Sequence, residues 1–110
     1  MPVMTYIASV AANTTVANAM SGKSHEFVTE PSVISLGVGG SAVGLNTSLI
    51  IGEEIVVDDQ EVPVQTTLPA FPDQVLAQGG GVTGDRIIVK LRNTTGGAIT
   101  AYVKVLVEPA

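Results

Sequence analysis

Asp85-Arg86-Ile87-Ile88-Val89-Lys90-Leu91-Arg92 alternates in hydropathy, and so does Ala98-Ile99-Thr100-Ala101-Tyr102-Val103-Lys104-Val105-Leu106-Val107, with Asn93-Thr94-Thr95-Gly96-Gly97 between them. A period of two is the mark of a strand with one face buried. Two such runs joined by a short Asn/Gly segment predict a β-hairpin. The inward set is Ile87, Val89 and Leu91 on the first run and Ile99, Ala101, Val103, Val105 and Val107 on the second, all odd-numbered. Cross-strand partners share a face, so their numbers must sum to an even value, which requires an odd loop. A three-residue loop with Gly96 left-handed in a G1 bulge fits that rule.

The even positions then share the outside: Arg86, Ile88, Lys90, Arg92, Thr100, Tyr102, Lys104 and Leu106, which include four of the five basic residues. Basic stems covering apolar neighbours are ordinary surface. The same mixture, with Tyr and Arg in it, is also the composition of a protein interface. Glu53, Glu54, Asp58, Asp59 and Glu61 hold half of the ten acidic residues and are expected to form an acidic rim elsewhere. A basic face meeting a neighbour's acidic rim head-to-tail would close a ring such as a trimer. The acidic spacing matches no EF-hand loop, so a solvated rim is favoured over a cation site.

Composition narrows the function classes. The chain has 110 residues, enough for one domain with a real core. Only Tyr6, Phe27, Phe71 and Tyr102 are aromatic, so the core is expected from Val, Ile, Leu and Ala. Charged residues make up 14%, against about 25% in an average soluble domain. No run approaches the ~20 apolar residues of a spanning helix, so surface covered by other subunits is the better reading of that deficit. A net charge of −5 opposes phosphate neutralisation and hence nucleic-acid binding. With no cysteine, thiolate catalysis and Cys-ligated metals are excluded. The N-terminus carries no secretory signal pattern.

Upstream, residues 24–36 read as strand interrupted by Pro31, residues 37–41 as a flexible loop, residues 42–51 as a strand, and Gly52-Glu53 as a turn. Short strands are expected at 54–57 and 61–67, a loop at 68–72, an ambiguous stretch at 73–78, and a mobile turn at Gly79-Gly80-Gly81. Residues 1–22 are expected to be a strand from 4 to 10 and then a loosely structured arm, a short helix being the alternative, with the domain proper spanning 23–110. About seven or eight short strands with almost no helix predict an all-β, antiparallel β-sandwich of jelly-roll type, with an immunoglobulin-like sandwich second.

Motifs that suggest chemistry fail on context. Ala17-Asn18-Ala19-Met20-Ser21-Gly22-Lys23-Ser24 matches a relaxed phosphate loop, but a strand rather than a helix is expected after it. Gly37-Val38-Gly39-Gly40-Ser41-Ala42 resembles a dinucleotide fingerprint and fails the same test. His25 is the only histidine, and its neighbour Ser24 would point to the opposite face of a strand. Asn13-Thr14-Thr15, Asn46-Thr47-Ser48 and Asn93-Thr94-Thr95 are formal glycosylation acceptors better read as turn chemistry. Asp58, Asp59, Glu61 and Asp73 are the plausible acid/base groups for an enzyme. The expectation is a non-enzyme with no cofactor and no metal.

Ser48-Leu49-Ile50-Ile51-Gly52-Glu53-Glu54-Ile55-Val56-Val57-Asp58-Asp59-Gln60-Glu61-Val62-Pro63-Val64 and the closing stretch from Arg86 to Val107 resemble phage capsid decoration, or cement, proteins. The resemblance is one of texture over the last two-thirds of the chain: rich in Gly, Thr and Val, poor in charge, with Asn-Thr-Thr-Gly-Gly at a tip. It implies a β-sandwich that oligomerises on a capsid, has itself and a major capsid protein as partners, and resides in the virion after assembly in host cytoplasm. It carries over no functional residue. The alternatives are a carbohydrate-binding sandwich, which needs exposed aromatics, and a small enzyme.

Overall fold

The odd-numbered aliphatics from Ile87 to Val107 all face the core, as alternation requires, but the two strands that carry them lie in different sheets. The computed structural model describes residues 3–23, 25–69 and 74–109. Ser24, Phe71 and Asp73 lie outside the described residues. The strands are β1 (Val3–Val10), β2 (Thr15–Val16), β3 (Ser32–Gly40), β4 (Leu45–Ile51), β5 (Glu54–Glu61), β6 (Ala77–Gly81), β7 (Ile87–Asn93) and β8 (Ile99–Pro109). No helix occurs among the described residues.

Two four-stranded antiparallel sheets face each other, ordered β1-β8-β3-β6 and β2-β7-β4-β5. Strand pairs nest as β4 with β5, β3 with β6, β2 with β7 and β1 with β8, so the chain is one long antiparallel ribbon folded over on itself. That winding is the jelly roll. The core is Val, Ile and Leu with Ala19, Ala101, Met4 and Met20, built largely from the inner faces of both sheets.

The predicted hairpin is therefore corrected to an arch that crosses between sheets. The parity argument allows both, because an inward face stays inward whether the next strand lies beside it or opposite it. Asn93 decides the matter locally. Its buried side chain donates from Nδ2 to the carbonyls of Val10 at 3.0 Å and Gly97 at 2.7 Å, and its Oδ1 accepts from Thr95 N–H and Thr95 O–H. Gly96 is not left-handed, and the positive-φ glycines are Gly22, Gly44, Gly52 and Gly84. The expected G1 bulge is absent from this turn.

Three further expectations change. Residues 37–40 are not a loop but the end of central strand β3, where a Cβ on Gly39 would sit 2.1 Å from the Gln65 Cγ that lies over it. Gly79-Gly80-Gly81 is strand β6, whose inward glycines let the sheets close: a Cβ on Gly79 would stand 2.8 Å from Val56 Cγ2. Residues 54–61 form one strand with a register irregularity, and the expected strand at 61–67 reduces to a bridge between Gly40 and Val64.

The strand expected from 4 to 10 is β1, and the arm expected after it is instead packed into the sandwich. β1 runs in unbroken register along β8, and Met20 is completely buried. Where β2 ends after two residues, the Asn18 side chain takes over. Its Oδ1 accepts from Val89 N–H at 3.1 Å and its Nδ2 donates to the Ile87 carbonyl at 3.3 Å. Backbone hydrogen bonding along β7 is thereby continued by a side chain.

Candidate functional site

Each sheet turns an outer face to solvent, and these two faces are the candidate surfaces. The basic residues expected on one face are divided between them. Arg86, Ile88, Lys90 and Arg92 belong with the second sheet, while Tyr102, Lys104 and Leu106 belong with the first. The shared basic face is thus corrected: β7 and β8 turn their even positions in opposite directions across the sandwich.

On the second sheet, β4 lies between β7 and β5, and Ile88, Ile50 and Ile55 form a row across all three. One step along, Lys90 sits beside Ser48, and Arg92 beside Asn46, which pairs with Glu61. Small side chains on β4 leave a shallow cleft of about 330 Å³ lined by Thr15, Asn46, Ser48, Lys90, Arg92 and Asp59 among others. The bulge of β5 aims Asp59 into it. Asp59 has φ +52°, which aspartate tolerates better than most residues, and its N–H donates to Ser48 Oγ at 2.8 Å. Its carboxylate takes both forks of Arg92, with Nε to Oδ1 at 2.9 Å and Nη2 to Oδ2.

This geometry answers the head-to-tail idea. The acidic rim is not remote from the cations. Asp59 already holds Arg92 within the chain, and Glu61 lies on the same face. The Arg92 hydrogen bond holds the Asp59 carboxyl below its ordinary value, and Asp59 in turn raises Arg92. Glu53 and Glu54 stand at the β4–β5 turn, and Asp58 lines the cleft.

Arg86 is also engaged. Its Nε donates to Glu26 Oε2 at 2.6 Å, and its guanidinium lies 6.0 Å from the centre of the Phe27 ring. Glu26 Oε1 accepts the Gly22 N–H at 2.9 Å. That hydrogen bond first, and Arg86 next, hold Glu26 below its ordinary value against the opposing effect of desolvation. Gly22 therefore presents its N–H to a carboxylate, and among the described residues no helix follows it. The phosphate-loop reading ends there.

The first sheet is different. β1 offers Thr5, Ser9 and the exposed Val3 and Ile7 outward, at 48% and 56% exposure, and neighbouring β8 offers Thr100, Tyr102, Lys104 and Leu106. Val3 stands beside Leu106, and Ile7 beside Tyr102. Over β3 the outward positions are half-buried Val33, paired with Glu108, and the small, buried Ser35, Gly37 and Gly39, with Gln65 covering Gly39 and Gln78 Nε2 donating to Ser35 Oγ. The apolar stripe of this face is therefore concentrated on β1 and β8.

Sequence reasoning missed Asn18, Asn93 and Glu26 as organising residues. For Asn93 the signal was present in the Asn-Thr-Thr-Gly-Gly segment; for Asn18 and Glu26 the partners that tie them to β7 and to Arg86 are 60 or more residues away in sequence, and no local pattern announces them. Among the described residues, no three His, Cys, Asp or Glu side chains converge as metal ligands. The described aromatics are dispersed: Tyr6 packs toward the core, Phe27 lies beside Arg86, and Tyr102 is on the first sheet. No family model matches this chain, and neither a curated protein nor a solved structure does.

Proposed function

We propose that the chain is a structural assembly subunit of the capsid-decoration kind, binding an assembled virus shell and stabilising it without chemistry. The single observation that carries this reading is the outer face of the first sheet, where Val3 and Ile7 stand exposed beside Tyr102 and Leu106. Such a stripe, with Lys104 within it, fits a covered surface better than a solvated one. The low share of charged residues, 14%, agrees with it, and jelly rolls are common in viral shells. A protein that binds only the assembled shell stabilises it by mass action.

The test is made on particles. Virus particles produced from the genome that encodes this chain should contain it at fixed stoichiometry. Particles lacking it should assemble but lose their contents at lower temperature. A chain absent from purified particles would end the proposal.

A second reading rests on the cleft beside Arg92. Its volume lies at the low end for small-molecule sites, and its lining suits a polar ligand such as a sugar. The dispersed aromatics weigh against it, since a sugar platform stacks on exposed rings. Glycan-array binding abolished by Asn46→Ala would favour this reading over the first.

A further inference from the structure

A sheet edge exposes backbone donors and acceptors that another chain can extend, and folded proteins defend such edges with shortness, charge, proline or bulges. This sandwich has four edges: β1 and β6 in one sheet, β2 and β5 in the other. β2 has only two residues. β6 has five, three of them glycine. β5 carries Glu54, Asp58, Asp59 and Glu61 and breaks register twice against β4. β1 has none of these devices. Its eight residues, Val3-Met4-Thr5-Tyr6-Ile7-Ala8-Ser9-Val10, contain no charge, proline or glycine and keep unbroken register with β8. Among the described residues β8 is the only strand paired with it.

We propose that β1 is the docking edge for β1 of a second copy of this chain, joined antiparallel about a two-fold axis through Ile7. The result is one continuous eight-stranded sheet, ordered β6-β3-β8-β1 in one copy and β1-β8-β3-β6 in the next. Three arguments select this occupant. First, each copy carries a net charge of −5, and an uncharged edge lets two such molecules meet without opposing like charges. Second, parity restricts the register. Residues that share a face must have numbers summing to an even value, so the axis passes through a residue rather than between two. The strand is centred between Tyr6 and Ile7, which leaves those two registers as the best overlapped. Third, only the Ile7 register sets Ile7 against itself. It makes an outward apolar row of Tyr102, Ile7, the second Ile7 and the second Tyr102, and covers a side chain that is 56% exposed in the single chain. The same register puts Met4 opposite Val10, Thr5 opposite Ser9 and Tyr6 opposite Ala8. It aligns Lys104 with Thr100 of the other copy, since Thr5 pairs with Lys104 and Ser9 with Thr100. Pairing of identical patches is the usual construction of a two-fold dimer.

This inference deepens the assembly-subunit reading by naming the surface between copies, and its test needs no shell. The full chain is measured by light scattering coupled to size exclusion, with circular dichroism to establish folding of each variant. The wild type should have twice the 11.2 kDa chain mass. Ile7→Lys and Ile7→Glu should each halve the observed mass, and mixing the two should restore it, because residue 7 faces its own copy. Ile55→Lys, on the other sheet, should leave the mass unchanged. A monomeric wild type, a dimer indifferent to Ile7→Lys, or a mass of three chains or more would overturn the proposal. Restoration by mixing Ile7→Lys with Thr5→Glu, but not with Ile7→Glu, would mark the Tyr6 register and overturn the one proposed. A chain missing from particles would leave this dimer intact, and a monomer would leave shell binding undecided, so the two failures are distinguishable.

Discussion

The two sheets of this sandwich handle their outward charges differently. On the second sheet, Arg92 is gripped by Asp59 across β4, and at the other end of β7 Arg86 is held by Glu26. On the first, the outward stripe of β1 and β8 is apolar with Lys104 in its midst, and the β1 edge is uncharged. The difference teaches that a cluster of cations in a sequence is a docking feature only when the fold leaves its counter-charges to another molecule. Here both arginines of the cluster, Arg86 and Arg92, are answered within the chain, and the apolar sheet becomes the better candidate for contact.

The contrast depends first on the sheets being held in register with each other, and the largest effect should come from Asn93→Ala. That substitution removes the cross-sheet tie to Val10 and leaves its carbonyl and that of Gly97 without this donor. A loss of about 2–3 kcal/mol in urea unfolding is expected. A loss too small to resolve would mean that the arch is held by packing alone.

A smaller effect separates the two faces of β6. Gly79→Val drives a side chain into Val56 and Ile51 and should cost about 1–3 kcal/mol. Gly80→Val faces outward, meets nothing closer than Ser32 O at 3.9 Å, and should be tolerated. Equal losses in the two variants would contradict the inward orientation of Gly79.

Next comes pH. Glu26 and Asp59 are both held below their ordinary values of 4.5 and 3.8, so they bind fewer protons folded than unfolded in acid. Their stabilisation is complete above the ordinary values and is lost as pH falls through the lowered ones. Thermal unfolding followed from neutral pH to about pH 2.5 should therefore show a declining midpoint. Glu26→Gln with Asp59→Asn should flatten that decline. An unchanged profile would assign the acid sensitivity to other carboxylates.

The smallest expected effect is the sharpest for the comparison. Lys90→Glu alters the second sheet's surface and should change neither oligomeric mass nor shell binding. Leu106→Asp, on the first, should weaken shell binding in a pull-down with purified particles. The reverse pattern would exchange the roles of the two faces.

Much of the fold was legible because alternation is a local property. Ile87, Val89, Leu91, Ile99, Ala101, Val103, Val105 and Val107 read correctly as inward and Gly52 as a turn, whereas the strand expected ahead of Pro31 reduces to an isolated bridge between Phe27 and Arg86. Glycine misled at two places. Gly39 and Gly79 look like flexibility in sequence, yet each is a place where another side chain comes too close for a Cβ. Arg92 and Arg86 were legible as outward cations, but their partners Asp59 and Glu26 lie 33 and 60 residues away.

Sequence by itself determined that the fold is all-β, which side of the two closing strands β7 and β8 is buried, and that an Asn/Gly segment reverses the chain after Arg92. Tertiary structure alone decided that β7 pairs with β2 and β4 while β8 pairs with β1 and β3, and hence that their outward residues part company. The physical reason is that the side-chain period of two is set within a strand, whereas a strand's neighbours are chosen by hydrogen bonds to distant segments. An arch and a hairpin bury the same odd-numbered residues, so only the backbone partners distinguish them.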